Sequence, residues 1–155
     1  MTGRGNSEIQ NRFFAALPYL LPLIYVLPFG RFLFRQFPIL QVIYLPLQPL
    51  LAVYSFPLAG LIIFFVLIFA VVRNENIPHF IRFNTMQAIL IDILLVVIRF
   101  ATSILGFSGG LLGETFYNMI FLGVLAMCIY SIVQSARGIY AEIPGISEAV
   151  NGQVR

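Results

Sequence analysis

Four long stretches of this chain carry almost no charge, and that restricts its fold more than any other feature. A helix that spans a bilayer needs roughly 17–25 mostly apolar residues, about 30 Å at 1.5 Å per residue. Phe13 to Gly30 is one such run, set between Arg12 and Arg31. Leu58 to Val72 is a second, closed by Arg73-Asn74-Glu75-Asn76. Thr85 to Phe107 is a third, interrupted by Asp92 and Arg99, and Thr115 to Gln134 is a fourth. The whole chain is 60% hydrophobic and 10% charged, against about 45–50% and about 25% in soluble domains. A water-soluble domain of 155 residues could not bury three residues in five. The mean hydropathy of +0.96 agrees. The fold class is therefore all-α: a polytopic integral membrane protein with four transmembrane helices.

We divide the chain into a polar N-terminal tail (1–12), one transmembrane helical domain (13–137) and a C-terminal tail (138–155). The expected spans are about 13–30, 57–72, 85–107 and 115–136. The segment Gln36 to Ser55, QFPILQVIYLPLQPLLAVYS, is apolar enough to be a fifth. Pro46 and Pro49 each remove a helical hydrogen bond that lipid cannot replace, so a broken, interfacial or partly buried connection is preferred. Seven of nine prolines fall between Pro18 and Pro57, which predicts a kinked and irregular N-terminal half. That irregularity reads either as helix punctuation or as backbone shielded at membrane depth by protein or water.

Arginine asymmetry sets orientation. With four spans, Arg4, Arg12, Arg73, Arg82, Arg137 and Arg155 oppose Arg31 and Arg35; with five, Arg4 and Arg12 change places with Arg31 and Arg35. Both arrangements place the Arg73–Asn84 loop and the C-terminus on the cytoplasmic or stromal side. The start has neither a small-residue cleavage site nor an Arg- and Ser-rich leader, so insertion where the chain is made, or prior removal of a leader, is expected.

Asp92 and Arg99 are expensive inside a span, about 2.5–3.5 kcal/mol each at a helix centre on insertion scales. At 100° per residue Asp92, Arg99 and Ser103 fall within about 20° of one another, with Thr85, Ala88, Val96 and Gly106 flanking them. Seven residues of rise separate Asp92 from Arg99 by about 10 Å, so each is expected to find its partner on another helix. This candidate polar face is either packing glue or the lining of a hydrated path or docking surface. On the packing reading, Asp92→Asn destabilises assembly more than Arg137→Gln. Gly123, Met127, Ser131 and Ser135 form a similar stripe on the fourth helix, which predicts contact between the third and fourth helices.

Chemistry signals are negative. Gly106-Phe107-Ser108-Gly109 matches the GxSG of rhomboid proteases, but the one histidine, His79, lies at the far end of a helix about 30 Å or more long. Without a base there is no activated serine. No cluster of Cys, His and carboxylates offers a metal site, and no phosphate loop or paired carboxylates occur. We expect no enzyme and no cofactor. Cys128 stands alone, with no basic neighbour to lower its pKa. A net charge of +3 from nine arginines without a lysine lacks the dense basic stripe of a nucleic-acid binder.

His79-Phe80-Ile81-Arg82-Phe83-Asn84 is the most unusual polar stretch. Asn84 or Thr85 could cap the following helix, with Phe80, Phe83 and Arg82 anchoring at the interface; the alternative is a contact surface for a partner protein. The longer segment HFIRFNTMQAILIDI, His79 to Ile93, resembles the signature of the Tic20 family, twenty-kilodalton subunits of the translocon at the inner chloroplast envelope, and their cyanobacterial relatives. LPYLLPL at Leu17–Leu23, VVRN at Val71–Asn74 and PGISEAV at Pro144–Val150 support the likeness. The resemblance implies four transmembrane helices and membership of a preprotein-conducting complex, with no catalytic residues. It marks Phe80, Ile81, Arg82, Phe83, Asn84, Met86, Gln87 and Asp92 as family-motif positions. The missing leader fits a cyanobacterial or plastid-encoded chain better than a nuclear-encoded one.

The expected function is a non-enzymatic membrane subunit related to protein translocation, in a plastid inner envelope or a cyanobacterial plasma or thylakoid membrane. Its expected partners are the lipid bilayer, other translocon or membrane-complex subunits and a translocating polypeptide, with a homo-oligomer left open and no nucleic acid. The alternatives are a small-solute or ion transporter and an assembly or scaffolding factor.

Overall fold

The computed structural model describes residues 2–106 and 110–154, with side chains from residue 9 onward. Every regular element among them is helical. α1 (Thr2–Ala16) continues through the 3₁₀ turn Leu17–Tyr19 into α2 (Leu20–Tyr25). A second 3₁₀ turn, Leu27–Gly30, leads to α3 (Arg31–Gln36). The two tight turns hold Pro18 and Pro28 at their second positions, still in the first turn, where a missing N–H is harmless. Together these pieces make one bent apolar rod, Ile9–Tyr25 and Leu27–Gln36 meeting at 55°.

The proline-rich segment is not a loop. Pro38–Leu47 is a ten-residue 3₁₀ helix, and α4 (Gln48–Tyr54) extends it. A turn then leads to α5 (Ala59–Leu67), which finishes as a π-helical turn, Ile68–Val72. The two halves meet at 100°, and Leu58 stands at the elbow with φ +65°, a backbone conformation that disfavours a side chain. The pair forms either a broken span or a re-entrant arm. Tyr44 ties its first half inward, donating from its hydroxyl to the Leu23 carbonyl at 2.9 Å.

α6 (His79–Leu105) and α7 (Gly110–Ala136) are unbroken, each 27 residues and apolar enough to cross a membrane. With the two bent pairs they give up to four crossings, a four-helix membrane architecture. The expected contact between the third and fourth helices is made at one end, where Ser135 of the small-residue stripe bonds Asn84 at 3.2 Å. α1 and α2 lie between α6 and α7 and supply the main backbone packing of both. Tyr19, Leu23, Val26 and Phe29 fill the centre, with Ala88, Ile91 and Leu95 on one side and Phe121, Val124 and Cys128 on the other. Gly30 permits this closeness, since a Cβ there would meet the Phe121 ring at 2.7 Å. A short α8 (Ile146–Gln153) folds back on α6. There Val150 and Val154 join Val72, Phe83, Met86 and Ile89 in a second apolar cluster.

Candidate functional site

α6 begins six residues before the expected start, because Pro78 at its N-cap holds φ −53° and ψ 142° and no side chain caps it. The stretch read as an interfacial lead-in is therefore already helix. Asn84 and Thr85 are not caps; they bond back to the carbonyls of Phe80 (2.8 Å) and Ile81 (2.8 Å). Of the family-motif residues, Arg82, Phe83, Asn84, Met86 and Gln87 are buried, while Phe80 and Ile81 are half-buried. A partner-contact surface does not describe these buried side chains, which turn inward.

They build a polar knot inside an apolar bundle. The Tyr19 hydroxyl donates to Asn84 Oδ1 at 2.7 Å, and Ser135 Oγ donates to the same oxygen at 3.2 Å. Gln87 Nε2 donates to the Tyr19 hydroxyl (2.9 Å) and to the Ala141 carbonyl (3.0 Å). Ser147 Oγ donates to Gln87 Oε1 at 2.5 Å and accepts from the Ile143 N–H at 2.7 Å. One turn earlier, Arg82 Nε donates to the Val72 carbonyl at 2.9 Å, joining α6 to the π-helical end of the second span. The motif thus ties the first span, α5, α7 and α8 to one end of α6. Low dielectric strengthens such a network when every member is satisfied.

The predicted polar face of α6 divides into two environments. Asp92 lies thirteen residues from either end of α6, at its midpoint, and is 7% exposed. Its Oδ1 has no hydrogen-bond partner. It lines a cavity of about 310 Å³ between α6 and the broken second span, with Leu21, Tyr25, Tyr54, Gly60 and Phe64 among its neighbours. Arg99 and Ser103 are exposed on the flank and line an adjoining cavity of about 290 Å³ with Tyr25, Val96 and Phe100. The expected partners on other helices are absent: among the described residues neither Asp92 Oδ1 nor the Arg99 guanidinium meets one. For Arg99 the reason is depth. It sits six residues from the end of α6, about 9 Å, within reach of headgroups for a long side chain.

His79 is exposed and pairs through Nδ1 with the Tyr140 hydroxyl at 2.9 Å. Partial burial pushes the Tyr140 phenol above its ordinary value. Ser108 of the GxSG match lies outside the described residues. Among those described, no group of three or more His, Cys, Asp or Glu could hold a metal ion.

Sequence reasoning set Ser135 on the face toward the third helix, but missed Tyr19 and Ser147 as partners of the motif, and Tyr25, Tyr54 and Gly60 as walls around Asp92. Ser147 lies within PGISEAV and Tyr19 within LPYLLPL, so both sat in segments already marked by resemblance. Nothing in a single sequence pairs them with Gln87.

Comparison with known proteins follows the same segments. A family model described as "Chloroplast import apparatus Tic20-like" matches residues 6–150. A Tic20 family protein of Synechocystis is 54% identical, covering 100% of this chain and 99% of its own length. The Tic20 family protein Ycf60 of Gracilaria tenuistipitata is 38% identical over 94% of this chain and 76% of its own. Protein TIC 20-II, chloroplastic, of Arabidopsis thaliana is 36% identical over 88% of this chain and 68% of its own. With its helical membrane architecture and its motif at the structural knot, the chain belongs to the Tic20-like family of the chloroplast import apparatus.

Proposed function

We propose that the chain is a non-enzymatic integral membrane subunit that helps polypeptides cross or enter a membrane within a larger assembly. The observation that carries this reading is the match of an import-apparatus family over residues 6–150, nearly the whole chain. The architecture is compatible with it. The centre of the bundle is filled by Tyr19, Phe29, Ile91, Leu95 and Phe121, and the two cavities that hold intramembrane charge lie on the α6 flank. A single copy therefore offers lateral surfaces to other chains, and conduction of a polypeptide requires neighbouring subunits or further copies. The membrane would be a plastid inner envelope or a cyanobacterial plasma or thylakoid membrane. The end of the bundle bearing the Arg73–Pro78 turn and the C-terminus would face stroma or cytoplasm, as the arginine balance favours.

Purification of the tagged full-length protein in mild detergent, with its co-purifying chains identified, tests the reading. Recovery of protein-translocation components is expected. Recovery of a single photosynthetic or respiratory complex, or solute movement by the purified protein alone in liposomes, would overturn it.

A further inference from the structure

Asp92 is the one aspartate in the chain, and it stands at the midpoint of a spanning helix with an orphaned carboxylate oxygen. A carboxylate there is tolerated only if it is protonated or matched by a cation. Among the described residues none supplies that cation at Asp92 Oδ1. Arg99 lines the neighbouring cavity instead, about 10 Å along the helix. A second copy inserted in the same orientation brings its own Asp92 to that depth. A metal ion finds no second carboxylate, histidine or thiolate among the cavity's lining residues.

The walls around Asp92 suit a cation on an apolar stem. Tyr25 and Tyr54 stand edge to face at 5.7 Å and offer aromatic surface to a positive group. Leu21, Phe64, Ile89 and Val96 supply the apolar remainder. Gly60 leaves room for the Tyr25 hydroxyl, which would lie 2.5 Å from a Cβ at that position. The rim is formed by exposed Leu61, Ile93 and Val97, so the recess opens sideways toward lipid. Its volume of about 310 Å³ admits one long side chain but not a helix about 10 Å across.

We propose that the Asp92 recess receives a single basic side chain, lysine or arginine, presented at mid-membrane by an apolar helix lying along the α5–α6 flank. The proposal deepens the translocation reading by naming a class of polypeptide that the subunit holds, and it rests on that reading for the helix being cargo or partner. The bound side chain donates to Asp92 Oδ1, and the proton that keeps the empty recess neutral leaves to water as the ion pair forms.

The full-length protein in phosphatidylcholine nanodiscs, carrying a photo-crosslinking residue in place of Val97, provides the test. The probes are synthetic 21-residue Leu/Ala helices with a central lysine, a central norleucine, or a lysine moved seven residues toward one end. The central-lysine helix should crosslink about tenfold more than the other two, equivalent to about 1.4 kcal/mol. Asp92→Asn should reduce it to the norleucine level, and Asp92→Glu should keep the preference. Equal crosslinking of the three helices to the unsubstituted recess overturns the proposal, as does a preference that survives Asp92→Asn. Should Asp92→Asn fail to fold, the comparison of the three helices still decides. The assay contains no translocation partner, so its failure leaves the subunit reading standing, and failure to co-purify translocation components leaves the peptide result standing.

Discussion

Gln87 touches three parts of the chain with one amide, and its removal shows what the knot is worth. Gln87→Leu takes the acceptor from Ser147 and a donor from both Tyr19 and Ala141. It should lower stability by about 1–3 kcal/mol, read as a fall in thermal midpoint in detergent. Arg137→Gln, which loses an exposed bond to Gln134 at 3.1 Å, should change almost nothing; equal losses would show that the knot does not lock the fold. Asp92 should behave in the opposite way. The packing-glue reading requires Asp92→Asn to destabilise, but an oxygen without a partner contributes no glue. Asp92→Leu should therefore raise stability by about 1–3 kcal/mol, the cost of an unsatisfied buried group, and a lower thermal midpoint would restore the packing account. The costliness of Asp92 was legible in the sequence, because one carboxylate among apolar residues needs no structure to be noticed. Its solitude was not, since hydrogen-bond partners come from other elements.

The elements with prolines departed most from straight helices, as their spacing foretold, yet they did not become loops. Pro46 lies inside a 3₁₀ helix, which goes without its N–H there, and Pro49 lies in the first turn of α4, where a lost N–H is harmless. The 100° elbow concentrates its strain at Leu58. Leu58→Gly should be neutral or stabilising by up to about 1 kcal/mol, because glycine adopts that φ freely, and a clear loss in the same thermal assay would show that the exposed leucine is held by something outside the chain. Close approach between elements can be tested at two glycines. Gly30→Ala puts a methyl into the Phe121 ring, and Gly60→Ala puts one against the Tyr25 hydroxyl. Each should cost about 1–3 kcal/mol by overpacking. Gly123→Ala, which meets nothing within 4 Å, should cost nothing; similar losses at all three would mean that these contacts do not set the helix spacing. Gly123 belonged to the small-residue stripe from which contact between α6 and α7 was expected. Ser135 of that stripe does meet α6, at Asn84; the spacing says that one face is small, not where along it the contact falls.

At the scale of the molecule, the His79–Tyr140 and Asn84–Ser135 bonds place the start of α6 and the end of α7 together, with α8 folded beside them. Single cysteines at Glu75 and Glu142, in a Cys128→Ala background, should accordingly be labelled by a membrane-impermeant maleimide from the same side. Labelling from opposite sides would break the arrangement of α6 and α7. Cys128 itself is buried and should stay unlabelled until the protein is denatured. Helix number and the shared side of two polar segments could be read from apolar runs and arginines, which are local signals. The insertion of α1 and α2 between α6 and α7 could not, because it depends on which surfaces fit. That insertion has a consequence for biogenesis. Helices leave the ribosome in chain order, so α1 and α2 enter the bilayer first, and the hairpin of α6 and α7 arrives later. Apart from the Asn84–Ser135 bond, its two arms come to rest astride helices already in place. Until Ala141 and Ser147 emerge, Gln87 has lost two of its three partners. Completion of the bundle therefore waits until the segment after α7 has been made, and a nascent chain stalled before Ala141 should be far more sensitive to protease than one released a few residues after Ser147.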